Sequence, residues 1–183
     1  MLSLSSAVAR DGRSVSSHLE DEIISLYDEL RDRLLRYTIS FGLSGHDGEE
    51  IVQEAFLALF QHLQKDRCRR NLRGWLFRVA HNLAVKRLSG NNRHRDWSSL
   101  SAEGSENHID VAANPEQQAL ANQRQARLLA VLQSMPKRDQ DCLRLRAEGL
   151  RYREIAEVLG VSLGSISASL ARSLIRLGRV YER

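Results

Sequence analysis

"GLRYREIAEVLGVSLGSISASLARSLIRL", residues 149–177, reads as two short helices joined by a sharp glycine turn. Ile155, Ala156 and Leu159 form the inner face of the first helix. Ala156 is small enough for a second helix to cross closely, Gly160 supplies a positive-φ turn, and Ser162 caps the next helix. Val161, Ile166, Leu170, Leu174 and Leu177 then recur at helical spacing and are expected to point inward. This is helix-turn-helix grammar. The residues left outward are Ser165, Ser167, Ala168, Ser169, Arg172 and Arg176. Helix amides and serine hydroxyls can hold phosphates or serve either base type, and the arginines add charge, so contact with DNA is expected. The first two turns nevertheless lack the Lys, Arg, Asn or Gln that a DNA reader usually carries.

The whole chain is compatible with an all-α fold. Its 183 residues are 42% apolar and 27% charged, with 5% aromatics and two prolines, so strand-formers and helix-breakers are both scarce. No apolar run approaches the roughly 18 residues of a membrane span, and no membrane insertion is expected. Residues 1–17 are short and polar with no apolar core, and read as a disordered tail rather than a signal peptide. Cys68 and Cys142 stand alone, without a second cysteine at metal-ligand spacing. Neither a disulfide nor a metal site is expected, and the compartment reads as a reducing cytoplasm.

Charge divides the chain sharply. Residues 18–63 carry three basic and ten acidic side chains, whereas residues 64–95 carry ten basic and one acidic. Phosphate backbones attract the second block and repel the first, which implies two different partners.

Outward from the opening stretch, other helices follow. Ile23, Leu26, Tyr27, Leu30, Leu34 and Tyr37 give a helical pattern over 18–40. Asp47 is expected to cap a helix over 48–63, with Glu50 as its capping-box partner and an apolar face from Ile51 to Leu63. Residues 64–74 read as a basic loop, and a third helix is expected from Leu72 to Leu88, with Trp75, Leu76, Val79, Ala80 and Leu83 as its core stripe. Residues 91–114, rich in Ser, Asn, Glu and Gly, read as a flexible linker. Asn114-Pro115 opens another helix, Met135-Pro136 ends it, and a further one spans Lys137 to Ala147. The expected architecture is two small helical domains, 18–90 and 115–183, joined by that linker.

Two constellations beyond the helix-turn-helix stand out. In 64–95, Trp75 and Phe77 are interleaved with Arg70, Arg73, Arg78, Lys86 and Arg87, with Asn71, His81 and Asn82 nearby. Stacking surfaces among cations suit single-stranded nucleic acid. The start of the second helix gathers Asp47, Glu49, Glu50 and Glu54 with Gln53, more acid than a helix N-terminus needs, and fits a basic protein partner. No nucleophile elbow, phosphate loop or metal cluster is present, so a non-enzyme without cofactor is expected.

Read together, "DGEEIVQEAFLALFQHL", "NLRGWLFRVAHNLAVKRL" and the opening stretch resemble an alternative bacterial sigma factor of the small extracytoplasmic-function (ECF) type, from about residue 18 to 178. The resemblance implies that Asp47, Glu50, Gln53 and Glu54 dock on the clamp helices of RNA polymerase's largest subunit. It implies that Arg67, Arg73, Trp75, Arg78 and Asn82 open the −10 promoter element and capture a flipped base of the melted strand, with Lys86 and Arg87 on phosphates. The C-terminal unit would read the duplex −35 element through Ser165, Ser167, Ser169, Arg172 and Arg176 and meet the polymerase flap. An anti-sigma factor is a further implied partner. The family's recognition helix often reads like "VGTVKSRLHRAR"; here Ser167, Ser169 and Leu174 stand where that pattern has Lys, Arg and Arg. A weakened −35 contact follows, and two rivals stay open: a stand-alone helix-turn-helix regulator, and a sigma-like decoy that binds polymerase or an anti-sigma protein without initiating.

Overall fold

The computed structural model describes residues 5–65, 68–95 and 115–181. Seven helices occupy them: α1 Ser5–Ile39, α2 Gly45–Gln64, α3 Leu72–Arg95, α4 Pro115–Ser134, α5 Lys137–Ala147, α6 Tyr152–Leu159 and α7 Leu163–Tyr181. No strand occurs among the described residues, as the composition predicts. The chain divides into two compact units, the first formed around residues up to Gly90 and the second around those beyond.

In the first unit, α1 contributes Leu30, Leu34 and Tyr37 to the core, α2 Ile51, Ala55 and Leu59, and α3 Leu76, Phe77, Ala80 and Ala84, all buried. Burying one such large side chain stabilises by about 1.5–3 kcal/mol, so a core of this size holds a small three-helix unit. α1 and α2 are in tight contact at Gly48. A Cβ there would lie 2.9 Å from Thr38 Oγ1 and 3.0 Å from Leu35 Cδ1. Thr38 is itself wholly buried and donates to the Leu35 carbonyl at 2.8 Å, so it has little freedom to retreat. Tyr37 carries the joint to α3: its ring packs edge-on to Phe77 at 5.5 Å, and its hydroxyl hydrogen-bonds His81 Nδ1 at 2.8 Å.

Three boundaries differ from the sequence reading, each for a local reason. α1 begins at Ser5 rather than after a disordered tail through residue 17. Nothing in 5–17 stops a helix growing backward from the packed part: there is no proline and one glycine, Gly12. α2 is capped by Ser44, not Asp47. Ser44 Oγ accepts the Asp47 N–H at 3.0 Å and donates to Asp47 Oδ2 at 2.8 Å, so Asp47 answers the cap through its side chain. α3 runs to Arg95 instead of ending near residue 88, because Gly90 keeps a helical backbone and takes no left-handed stop. The remainder of the expected linker, 96–114, lies outside the described residues.

The second unit confirms the turn grammar of the opening stretch. Gly160 adopts φ 64° and ψ 34° and its N–H closes on the Ala156 carbonyl. The helices on either side, α6 and α7, meet at 107°, within the range of a helix-turn-helix. Ile155, Ile166 and Leu170 are buried in its core together with Leu145 and Leu150. Arg151 precedes α6 where a small polar cap is usual, and Glu154 compensates by accepting the Arg151 N–H at 2.6 Å. Among the described residues, no single helix is long and apolar enough to cross a membrane.

The close crossing generates a stability prediction. Gly48→Ala should lower the unfolding free energy by about 1–2 kcal/mol despite alanine's better helix propensity, since the added methyl overpacks the α1–α2 contact. Gly45→Ala, where nothing lies within 4 Å, should change it little; urea midpoints of the two variants make the comparison.

Candidate functional surfaces

Successive residues on an α-helix turn by about 100°, which places the outward side chains of α2 and α3 on two distinct ridges. On α2, Glu50, Gln53, Glu54, Leu57 and Gln61 fall within an arc of about 100°. Gln53, Glu54 and Gln61 are exposed, and Leu57 is 58% exposed at the middle of the arc. Leu57 thus adds one large apolar side chain to the polar ridge on which the docking residues were expected. Sequence reading missed Leu57, although it is the one leucine of α2 outside the apolar face expected from Ile51 to Leu63.

The two acids at the start of α2 are already engaged. Arg87 of α3 sends Nη1 to Asp47 Oδ1 at 2.9 Å and Nη2 to Glu50 Oε2 at 2.7 Å. The hydrogen bond to Glu50 holds the Arg87 pKa above its ordinary value, with the Glu50, Asp47 and Glu54 charges adding to it against a burial effect. His46 Nε2 lies 3.3 Å from the other Glu50 oxygen. The neighbouring Glu49 pairs with Arg31 of α1 at 3.1 Å. Residues expected on opposite surfaces, Asp47 and Glu50 for a protein and Arg87 for phosphates, therefore sit in one ion cluster.

On α3, Trp75, Arg78, Asn82 and Lys86 share an arc of about 80°. Arg78, Asn82 and Lys86 are exposed, and Trp75 is half-buried with its ring tilted over His62 at 4.8 Å. Arg73 is half-buried and off this arc. Arg67 lies outside the described residues. Phe77, expected among the cations as a stacking ring, is wholly buried against Tyr37 and is core. His81 is taken by the Tyr37 hydroxyl. Asn71 takes a left-handed φ of 57°, tolerable for Asn, and its side-chain oxygen accepts the Gly74 N–H at 3.1 Å, which starts α3. The basic loop before it is tied to α1 by Arg69 and Glu22 at 2.6 Å.

On α7 the inward face is rotated from the expected one. Ser169, expected on DNA, is wholly buried and donates to Asp139 Oδ1 of α5. Ser173 is buried beneath it, donating to the Ser169 carbonyl at 2.9 Å, while Leu174, expected inside, is 58% exposed. The cause is the carboxylate of Asp139, 3% exposed, which needs hydrogen-bond donors inside the unit and draws the serine side of α7 inward. Arg172, exposed, reaches the same Asp139 oxygen at 3.3 Å. Ser165 helps start the helix through its N–H to Ser162 Oγ at 3.2 Å. Ser167 and Arg176 are exposed. Cys142, beside this cluster, is buried, and burial pushes its thiol pKa up, so it stays protonated.

Fold and surfaces define a two-unit helical protein that carries a helix-turn-helix and a basic ridge suited to nucleic acid. Sigma-70 region 2 matches residues 26–94, and sigma-70 region 4 matches residues 125–177. The chain belongs to the sigma-70 family, and within it to the ECF type. The ECF RNA polymerase sigma-E factor of Haemophilus influenzae is 26% identical over 137 residues, which cover 72% of each protein. The ECF RNA polymerase sigma factor SigE of Mycolicibacterium smegmatis is 32% identical over 145 residues, 74% of this chain and 53% of that one. Two solved structures share the fold. CnrH, in complex with the cytosolic domain of CnrY, has a TM-score of 0.56 at 22% identity over 89% of each chain. RpoE from Bartonella quintana, in complex with the anti-sigma factor NepR, has a TM-score of 0.61 at 20% identity, covering 86% of this chain and 97% of that one.

Ser169 and Ser167 now make opposite predictions. Ser169→Ala removes a donor from a buried carboxylate and should destabilise the second unit by about 2 kcal/mol. Ser167→Ala, on the surface, should stay within about 0.5 kcal/mol of the parent. Thermal unfolding of both variants decides it; equal melting temperatures would return Ser169 to the surface.

Proposed function

We propose that the chain is an alternative sigma factor that binds core RNA polymerase, reads the −10 and −35 promoter elements and initiates transcription. The observation that carries this reading is the ridge of Trp75, Arg78, Asn82 and Lys86 on α3. It combines an accessible indole, an amide and two cations on one side of a rigid helix, which suits a base unstacked from an opened strand together with its phosphates. The acid-rich α2 docks on the clamp helices of the largest polymerase subunit through Glu50, Gln53, Glu54 and Leu57. α7 meets the −35 element through Ser165, Ser167, Arg172 and Arg176, and its unit meets the flap. Residues 18–90 act as the polymerase-binding and −10 domain and residues 115–183 as the −35 domain. The chain works in the cytoplasm without catalytic chemistry of its own. The complex of RpoE with NepR supports an anti-sigma factor as a further partner.

With Ser169 inside the fold and Ser167 uncharged, the expected contact face of α7 keeps Arg172 and Arg176 as its cations for the −35 duplex. Specificity is therefore expected to come more from the −10 element. A second reading has one observation in its favour: Leu174 and Ile175 are 58% and 59% exposed on α7, which suits a protein partner. A decoy of that kind binds core polymerase and never opens a promoter.

Run-off transcription on genomic fragments with core RNA polymerase tests the proposal. Discrete transcripts that depend on the protein are expected, and exchanging the −10 element should reduce them more than exchanging the −35 element. Trp75→Ala should abolish open-complex formation while core binding persists, and Lys86→Ala should lower the salt slope of promoter binding by about one unit. Core binding without transcripts would establish the decoy.

A further inference from the structure

Arg87 connects two surfaces of opposite charge. It leaves α3 about 120° around the axis from Trp75, away from the basic ridge, and ends on α2. Its two terminal nitrogens fork across Asp47 and Glu50, at 2.9 Å and 2.7 Å. The outer oxygens of those carboxylates are held as well, Asp47 Oδ2 by the Ser44 hydroxyl at 2.8 Å and Glu50 Oε1 by His46 at 3.3 Å. The Arg87 side chain is 32% exposed, so most of its surface is closed to solvent. One cation between two anions leaves the cluster with a net charge of about −1 when His46 is neutral. A DNA phosphate approaching Arg87 would meet two carboxylates of its own sign and would have to displace both. A cationic protein surface meets no such barrier.

We propose that Arg87 is a positioning residue for the docking surface of α2 and not a ligand of promoter DNA. By holding Asp47 and Glu50 in one geometry it presents Glu50, in line with Gln53, Glu54 and Leu57, to a basic partner already ordered. Side chains that are ordered before binding lose less entropy on association, so the contact favours affinity without touching the partner. The same fork ties the start of α2 to α3, which sets the angle between the docking ridge and the nucleic-acid ridge. The proposal rests on the reading of α2 as the polymerase-docking helix.

The experiment measures affinity of the full chain for core RNA polymerase, together with the salt dependence of promoter binding by the assembled holoenzyme. Variants are Arg87→Ala, Arg87→Lys, the pair D47N/E50Q, and the triple D47N/E50Q/R87M, which removes every charge of the fork at once and leaves none unpaired. Arg87→Ala should weaken core binding about tenfold and leave the salt slope unchanged, and Arg87→Lys should recover part of the loss. D47N/E50Q should weaken core binding by a similar factor, and adding Arg87→Met should cost nothing more. Should Arg87→Ala fail to fold, the triple variant carries the same comparison. Unchanged core affinity with a slope shallower by about one unit would make Arg87 a phosphate ligand and overturn the proposal. Losses that multiply in the triple variant, or a triple variant that binds like the parent, would also overturn it. A parent chain that does not bind core polymerase at all would sink the docking reading itself, and this proposal with it.

Discussion

Two polar pins decide which side of α3 faces outward. His81 is hydrogen-bonded to the Tyr37 hydroxyl of α1, and Arg87 grips Asp47 and Glu50 of α2. On a helix turning about 100° per residue, they project about 120° to either side of Trp75. Between them lies the buried stripe of Phe77, Ala80 and Ala84. Apolar burial alone is non-directional and sets the rotation of a helix only coarsely. A hydrogen bond on one flank and an ion pair on the other remove that freedom, because each works only at one rotation. The ridge of Trp75, Arg78, Asn82 and Lys86 is then the remainder: it is outside because both flanks are fastened.

The same logic orders the charges. An acidic block followed by a basic one would attract in any compact fold, and part of that attraction is satisfied within the first unit by Arg87 with Asp47 and Glu50 and by Arg69 with Glu22. Internal pairing lowers the surplus of both signs but leaves the outward residues of each helix alike in character, polar and acidic on α2, cationic and aromatic on α3. Exposed pairs add little stability singly. Their effect here is selection, by withdrawing particular side chains from the surfaces and leaving the others.

Much of this was legible in the residues. The glycine turn at Gly160, the limits of α5 and the apolar face of α2 all follow from local pattern, since each depends on neighbours within a few positions. The departures on the candidate surfaces share one cause, a partner remote in sequence. A repeat of 166, 170 and 174 and one of 166, 169 and 173 are equally helical, and the choice between them was made by Asp139, a buried carboxylate on another helix. Arg87 counted as one more cation in a basic run until its partners, about forty residues earlier, were known. Ser44 and Asp47 are both good caps three residues apart, and the helix starts from the first. On the candidate surfaces, the exposed ridge residues were recognisable by type and spacing. The serine held inside α7 and the leucine left outside α2 were not, because exposure is settled by packing across helices.

The bond between Ser169 and Asp139 also bears on how such a unit can be exchanged. A recognition helix is often treated as a cassette, transplanted between relatives to change what is read. Here the underside of α7 is complementary to α5: a small hydroxyl on one faces a buried acid on the other. A donor helix with arginine at position 169 would place a long cation in the space of a serine, against an interior with no room prepared for it. The transferable piece is therefore α5 together with α7, and a chimera that respects the helix boundary alone would join two halves that no longer match.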